Sequence, residues 1–217
     1  MDENDARATT PICTPSDVAL LVGMPRSTVY DWLKPRPSRP YLIHHIPPET
    51  RGWPSIPLLG LAEAAVLRAM RDNGMKMPEI AAAVDYLRDK DGPYALGRPE
   101  LLHDGFQAYV ADGGNLQTLR GGQLVLMGLV DQYLQPFRIA PDGFVEAYLV
   151  ERIPGVEIDP RFQAGRMRFT RTGVPVFAIA GALEAGEDPH VVATEYGLLD
   201  HEVGAVQQQL EWLSTAA

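Results

Sequence analysis

Cysteine is almost missing from this 217-residue chain. Cys13 stands alone, so no disulfide can close within it. A single thiol suits a reducing cytoplasm, where disulfide frameworks are rare. Long apolar runs are missing too: no stretch approaches the roughly 20 residues that span a bilayer. With 46% hydrophobic residues and a mean hydropathy of -0.11, a soluble globular chain of one large or two small domains is expected. The opening Met1-Asp2-Glu3-Asn4-Asp5 is acidic and has no apolar segment. That excludes a secretory signal and predicts a frayed, disordered tail over residues 1–12.

The patterns of cofactor and enzyme chemistry are absent as well. Neither GxGxxG nor a phosphate loop ending in Gly-Lys-Ser/Thr occurs, and HExxH and GxSxG are missing. His103, His190 and His201 stand alone, and the adjacent His44 and His45 diverge in either helix or strand. Glu49 lies near that pair, but a metal centre there needs further ligands from a distance. Cys13 has no base beside it in sequence. The expectation is a protein that is not an enzyme, with no cofactor and no metal.

What is present is concentrated in residues 14–33. Thr14 is a good helix N-cap, Pro15 suits the first helical position, and Asp17 complements the helix dipole. Val18, Leu21 and Val22 share a face. Gly23 can take the positive φ that ends such a helix, and Pro25 can open the next. Val29, Trp32 and Leu33 then form an apolar stripe, with Arg26, Ser27, Thr28 and Tyr30 off it. A small residue (Ala19) four before the turn glycine lets the helices approach, and Val29 and Trp32, six and nine after it, fix the second helix. This is a helix-turn-helix pattern, a unit that lays its second helix in the DNA major groove. It resembles the N-terminal unit of MerR-like regulators. The same elements also make an αα-hairpin inside a larger helical domain.

The net charge of -9 speaks against nucleic acid until its distribution is read. Between Met24 and Arg51, five basic residues (Arg26, Lys34, Arg36, Arg39 and Arg51) face only Asp31 and Glu49, a local net of +3. Phosphate contacts need local positive charge, not a basic whole. Arg26, Ser27, Thr28 and Tyr30 are the candidates for the groove, and Lys34, Arg36 and Arg39 for phosphates. One short recognition helix reads few base pairs, so a homodimer is expected.

Lys34 to Pro40 is too proline-rich for helix and reads as a rigid basic loop. Tyr41-Leu42-Ile43 and Trp53 to Pro57 are candidate strands of a wing. Helices follow over 58–72 (Leu59, Ala62, Val66, Ala69 and Met70 on one face) and from Pro78 (Ile80, Val84 and Leu87). A helix pair after a wing also resembles MerR-like architecture, to about residue 90. Beyond it the likeness ends: no long dimerisation helix and no cysteine cluster follows, so a metal- or redox-sensing regulator is not supported. Residues 91–152 read as a small α/β connector, with strands over 106–110 and 144–150, a turn at 112–115 and a helix from Gln123.

Ile153-Pro154-Gly155 marks an expected boundary. A short strand over 156–160, an extended stretch over 167–174 and three helices fill residues 153–217. Stripes lie at Val176, Ile179, Ala180 and Leu183, and at Val203, Val206, Leu210 and Leu213; Asp188 and Asp200 are candidate caps. The residues Ile158-Asp159-Pro160, Gly165-Arg166, Thr170 to Val176, Ala185-Gly186-Glu187 and Val191 to Tyr196 resemble a small domain of VapB-type antitoxins. The order at Arg171-Thr172-Gly173 departs from the family pattern. Residues 161–171 hold Arg161, Arg166, Arg168 and Arg171 and no acid; residues 172–217 hold seven acids and no Lys or Arg. Such an acidic face is poorly suited to phosphate. The resemblance implies a PIN-domain ribonuclease toxin as partner, whose metal-binding carboxylates an inserted arginine could pair with. Arg166, Arg168 and Arg171 are therefore the toxin-contact candidates; a basic strand pairing with the acidic helices of its own domain is the alternative, and the simpler one.

The combined expectation is an α+β chain. A winged helix-turn-helix-like domain (13–90), the connector (91–152) and a three-helix antitoxin-like module (153–217) would bind operator DNA at one end and a toxin at the other. A MerR-like transcription factor without a toxin partner, and a helical protein-interaction scaffold, are the alternatives.

Overall fold

The computed structural model describes residues 5–35, 41–100, 102, 104–105 and 123–215. The first described residues fall where the tail is expected to fray. Asp5 caps α1 (Ala6–Thr9) by accepting from the Arg7 amide at 2.9 Å, and Ala8 is buried. The Arg7 guanidinium is held between Asp5 and Asp142, each at 2.6 Å. Residues 5–12 are therefore not a disordered tail, because a partner far along the chain fixes Arg7.

α2 (Pro15–Val22) starts at a reciprocal cap: Asp17 N donates to Thr14 Oγ1 at 3.1 Å, and Thr14 N donates to the Asp17 carboxylate at 2.7 Å. Gly23 closes it with φ +71°, and α3 (Arg26–Trp32) follows after Pro25. Val18, Ala19, Val22, Val29 and Trp32 are buried between the two helices and the core. The expected wing forms no strand ladder among the described residues of 41–57. Leu42 and Ile43 are buried, and Leu42 N donates to Trp32 O at 2.9 Å. Pro47, Pro48, Pro54 and Pro57 remove the donors a ladder needs. Pairing is confined to a bridge between Cys13 and Ile56 and a bond from Ile46 N to Ser55 O at 2.8 Å.

α4 (Leu58–Asp72) is the centre of the molecule. Leu58 through Leu67 are all buried, Glu63 included, so it is enclosed on nearly every side rather than along one stripe. It packs against α1, α2, α5 (Met77–Asp91) and α6 (Gln123–Leu134). The strand and turn expected over 106–115 lie outside the described residues.

A four-stranded antiparallel meander follows: β1 (Phe137–Ile139), β2 (Val145–Leu149), β3 (Val156–Ile158) and β4 (Arg168–Phe169), in that order. Arg138 pairs with Ala147, Tyr148 with Ile158 and Val156 with Phe169. The boundary expected at 152/153 falls inside the β2–β3 hairpin, where Ile153 is fully buried. One apolar cluster runs from Ala8 to Val206 and takes in both sides of that hairpin.

The chain then forms α7 (Val176–Glu184), α8 (Pro189–Tyr196), α9 (Asp200–Gln207) and α10 (Leu210–Thr215). Asp188 caps α8 as expected, accepting from His190 N at 2.8 Å. Two expectations need correction. The third helix is two helices, parted at Gln208 and Gln209. Asp200 is not the cap but the first helical residue of α9; Glu202 reaches back to accept from Leu199 N at 2.8 Å instead.

Candidate functional site

α3 presents a polar outer face on a rigid inner one. Val29 and Trp32 are 0% and 1% exposed, while Arg26, Ser27 and Tyr30 face solvent. Arg26 makes no ion pair with the described residues. Thr28 is half-buried and accepts from Arg71 Nη1 of α4 at 3.3 Å. Lys34 is exposed but paired with Asp31 at 2.5 Å, which offsets its charge locally. Arg36 and Arg39 lie outside the described residues.

The support behind this face is largely illegible in sequence. Arg68 of α4 donates to the Val22 carbonyl at 2.5 Å and to that of Gly23, so it caps the C-terminus of α2. It also bonds Asp72 at 3.2 Å and lies over the Tyr133 ring of α6 at 5.4 Å. A Cβ on Gly23 would sit 2.5 Å from Arg68 Nη1, so glycine serves both the turn and the cap. Beneath the segment after α3, Glu63 (0% exposed) and Arg88 (8%) form a buried ion pair at 2.9 Å. Arg88 also donates to the carbonyls of Tyr41 (3.0 Å) and Leu42 (2.8 Å), and Glu63 accepts from His44 N. Residues 41–44 are thus anchored to the core.

His44 and His45 take part in packing. Tyr41 meets the His45 ring edge-on at 4.7 Å, and His44 lies 5.2 Å from the Tyr94 ring. Burial lowers the pKa of both imidazoles. Among the described residues no group of three or more His, Cys, Asp or Glu is placed to hold a metal ion. Cys13 is buried, and burial pushes its thiol pKa up, away from thiolate reactivity.

The C-terminal arginines are disposed differently. Arg138, Arg161 and Arg168 interleave with Glu146, Glu157 and Asp159 across the sheet. Arg138 bonds Glu146 at 2.8 Å and also Glu157; Arg161 bonds Glu146 at 2.7 Å and Asp159 at 2.6 Å; Arg168 bonds Glu157 at 2.7 Å. Burial raises the Asp159 carboxyl pKa, but the Arg161 hydrogen bonds outweigh it and leave it low. Arg171 pairs with Glu202 of α9 at 2.6 Å and donates to Gly197 O at 3.1 Å. Of the three arginines singled out in sequence, Arg168 and Arg171 are thus engaged within their own module. Arg166 is exposed, makes no ion pair with the described residues, and lies over the Phe177 ring at 5.3 Å. Of the acids that engage its neighbours, Glu146 and Glu157 are placed by the strands β2 and β3, Asp159 follows β3 directly, and Glu202 is brought in by α9.

No helix among the described residues is long and apolar enough to cross a membrane. The family model of a protein of unknown function, DUF433, matches residues 156–207, within the segment read as antitoxin-like. The chain is similar to a solved structure, Rv2018 from Mycobacterium tuberculosis. The TM-score is 0.74 at 27% identity, covering 93% of this chain and 99% of that one. It is also 30% identical to a Mycobacterium tuberculosis protein whose name is "Putative antitoxin VapB45", over 90% of this chain and 92% of the relative. By that identity and coverage, the chain belongs to the VapB45 antitoxin family.

Proposed function

We propose that this antitoxin-family protein is also a transcriptional autoregulator, which grips operator DNA through α2 and α3 and neutralises a cognate PIN-domain ribonuclease through its C-terminal module. One observation carries the DNA reading. A rigidly seated α3 turns Arg26, Ser27 and Tyr30 outward with no apolar residue between Arg26 and Thr28. Arg26, Ser27, Thr28 and Tyr30 would meet base edges, with Lys34, Arg36 and Arg39 on phosphates. Arg71 joins this set through its bond to Thr28. The protein would act as a homodimer, two recognition helices reading two half-sites. It would perform no chemistry of its own.

The test is binding to a DNA fragment from its own promoter across a salt series, with inhibition of the PIN protein encoded beside it measured in parallel. Arg26→Ala is expected to weaken DNA binding about tenfold and to lower the salt slope by about one. Toxin inhibition should stay as in the wild type. Absence of salt-dependent binding by the wild-type protein would sink the DNA reading.

A further inference from the structure

A groove of about 820 Å³ runs between the helix-turn-helix and the C-terminal module. Ile12 and Leu21 line one wall, Phe177 and Ala180 of α7 the other, and Leu213 of α10 lies at the side. We propose that it is the docking site for an apolar segment of the toxin that carries a carboxylate, the apolar side chain seating against Phe177 and the carboxylate meeting Arg166. This rests on the toxin-neutralising reading above and gives it a surface.

Three observations select that occupant. Phe177 is 57% exposed, with the Arg166 guanidinium over its ring; aromatic and arginine anchors beside a cleft are the composition of interface hot spots. Arg166 is the one cation among the described lining residues, and it is not engaged by the carboxylates that hold Arg161, Arg168 and Arg171. Residues 172–217 carry seven acids and no Lys or Arg, so on this face a carboxylate finds its counter-charge at Arg166. Glu184 and Asp17 also line the groove, so it suits a segment with a single carboxylate placed at Arg166 and disfavours the repeated charge of a nucleic-acid backbone.

The rim is also built at a conformational cost. Gln163, Ala164 and Gly165 are consecutive left-handed residues (φ 49°, 54° and 74°), held by a bond from Gln163 Nε2 to Gly173 O at 2.9 Å. Ile12 packs so closely on Gly165 that a Cβ there would fall 2.0 Å from its Cγ2. This turn fixes where Arg166 leaves the backbone.

The experiment is calorimetric binding of the protein to the product of the neighbouring reading frame, on this reading a PIN-domain ribonuclease. Phe177→Ala, Arg166→Glu and Gly181→Leu are compared, with circular dichroism to check the fold. Gly181 lines the groove, and nothing lies within 4 Å of its built Cβ, so a leucine fills the cleft without disturbing the protein's own core. Each variant is expected to raise Kd roughly ten- to a hundredfold, with promoter binding unchanged. Tight wild-type binding with unchanged Kd in the variants overturns the groove and leaves the toxin-neutralising reading standing. A shift in oligomeric state with toxin binding intact assigns the groove to a second copy and also overturns it. No wild-type binding at all removes the toxin-neutralising reading and, with it, this one.

Discussion

The α2–α3 pair and the C-terminal region both bring arginines to the surface, and they use them in opposite ways. On α3, Arg26 has no ion-pair partner among the described residues; Arg71 bonds the helix at Thr28, Arg68 caps the turn before it, and the Glu63–Arg88 pair holds residues 41–44 after it. Around the sheet, Arg138, Arg161 and Arg168 are consumed by Glu146, Glu157 and Asp159, and Arg171 by Glu202. A run of like charge therefore has two meanings. Where the described residues supply no counter-charge, as at Arg26 and Arg166, it is available to a partner. Where antiparallel strands bring in carboxylates, it is internal structure.

The contrast breaks most severely at its foundation. Glu63→Ala leaves the Arg88 guanidinium buried with only carbonyl partners, at a cost of about 3–5 kcal/mol. Urea unfolding is expected to show that loss, and the anchoring of residues 41–44 goes with it. A loss below about 1 kcal/mol would mean that the pair does not hold this segment.

Gly23→Ala sharpens the contrast on the side proposed to meet DNA. It forces φ +71° on a residue with a Cβ and crowds Arg68 Nη1, at a cost of about 1–3 kcal/mol. Promoter binding should fall further than stability explains at temperatures where the variant is still folded, because the angle between α2 and α3 depends on this turn. Equal DNA affinity in a destabilised variant would show that α3 is set by its own packing.

Much of this frame is legible in local sequence because its causes are local. The Thr14–Asp17 cap, the Gly23 turn, the Val29/Trp32 stripe and the Asp188 cap each lie within a few residues of what they determine. What is not legible depends on distant partners. α1 is fixed by Arg7 and Asp142, residues 41–44 by Glu63 and Arg88, and β1 is a three-residue strand that only its pairing with β2 defines. The wing fails for a reason the sequence does contain, the prolines at 47, 48, 54 and 57. The break at Gln208 is not marked at all, since Val203, Val206, Leu210 and Leu213 keep helical spacing across it. The candidate site divides likewise. The exposure of Arg26 and Tyr30 follows from helical periodicity, whereas the engagement of Arg168 and Arg171 follows from strand register and from α9 folding back.

The smallest expected effect separates the two kinds of arginine most cleanly. The Arg171 hydrogen bond holds Glu202 below the ordinary glutamate value of 4.5, helped by the amide of Leu199. A carboxyl lowered in the fold contributes stability that is present above its unfolded value and lost as pH falls through the folded one. The Arg171 side chain is 48% exposed, so solvent screening keeps the pair to about 1 kcal/mol or less. Arg171→Ala should therefore lower Tm by a few degrees at pH 7, and the gap to the wild type should close as pH is taken well below 4.5. Arg26→Ala should open no gap at either pH, because no described carboxylate depends on it. If the Arg171 gap persists in acid, its side chain acts by packing rather than by charge. If Arg26→Ala opens a gap at pH 7 that acid closes, a carboxylate engages Arg26 too, and the availability of that face is lost.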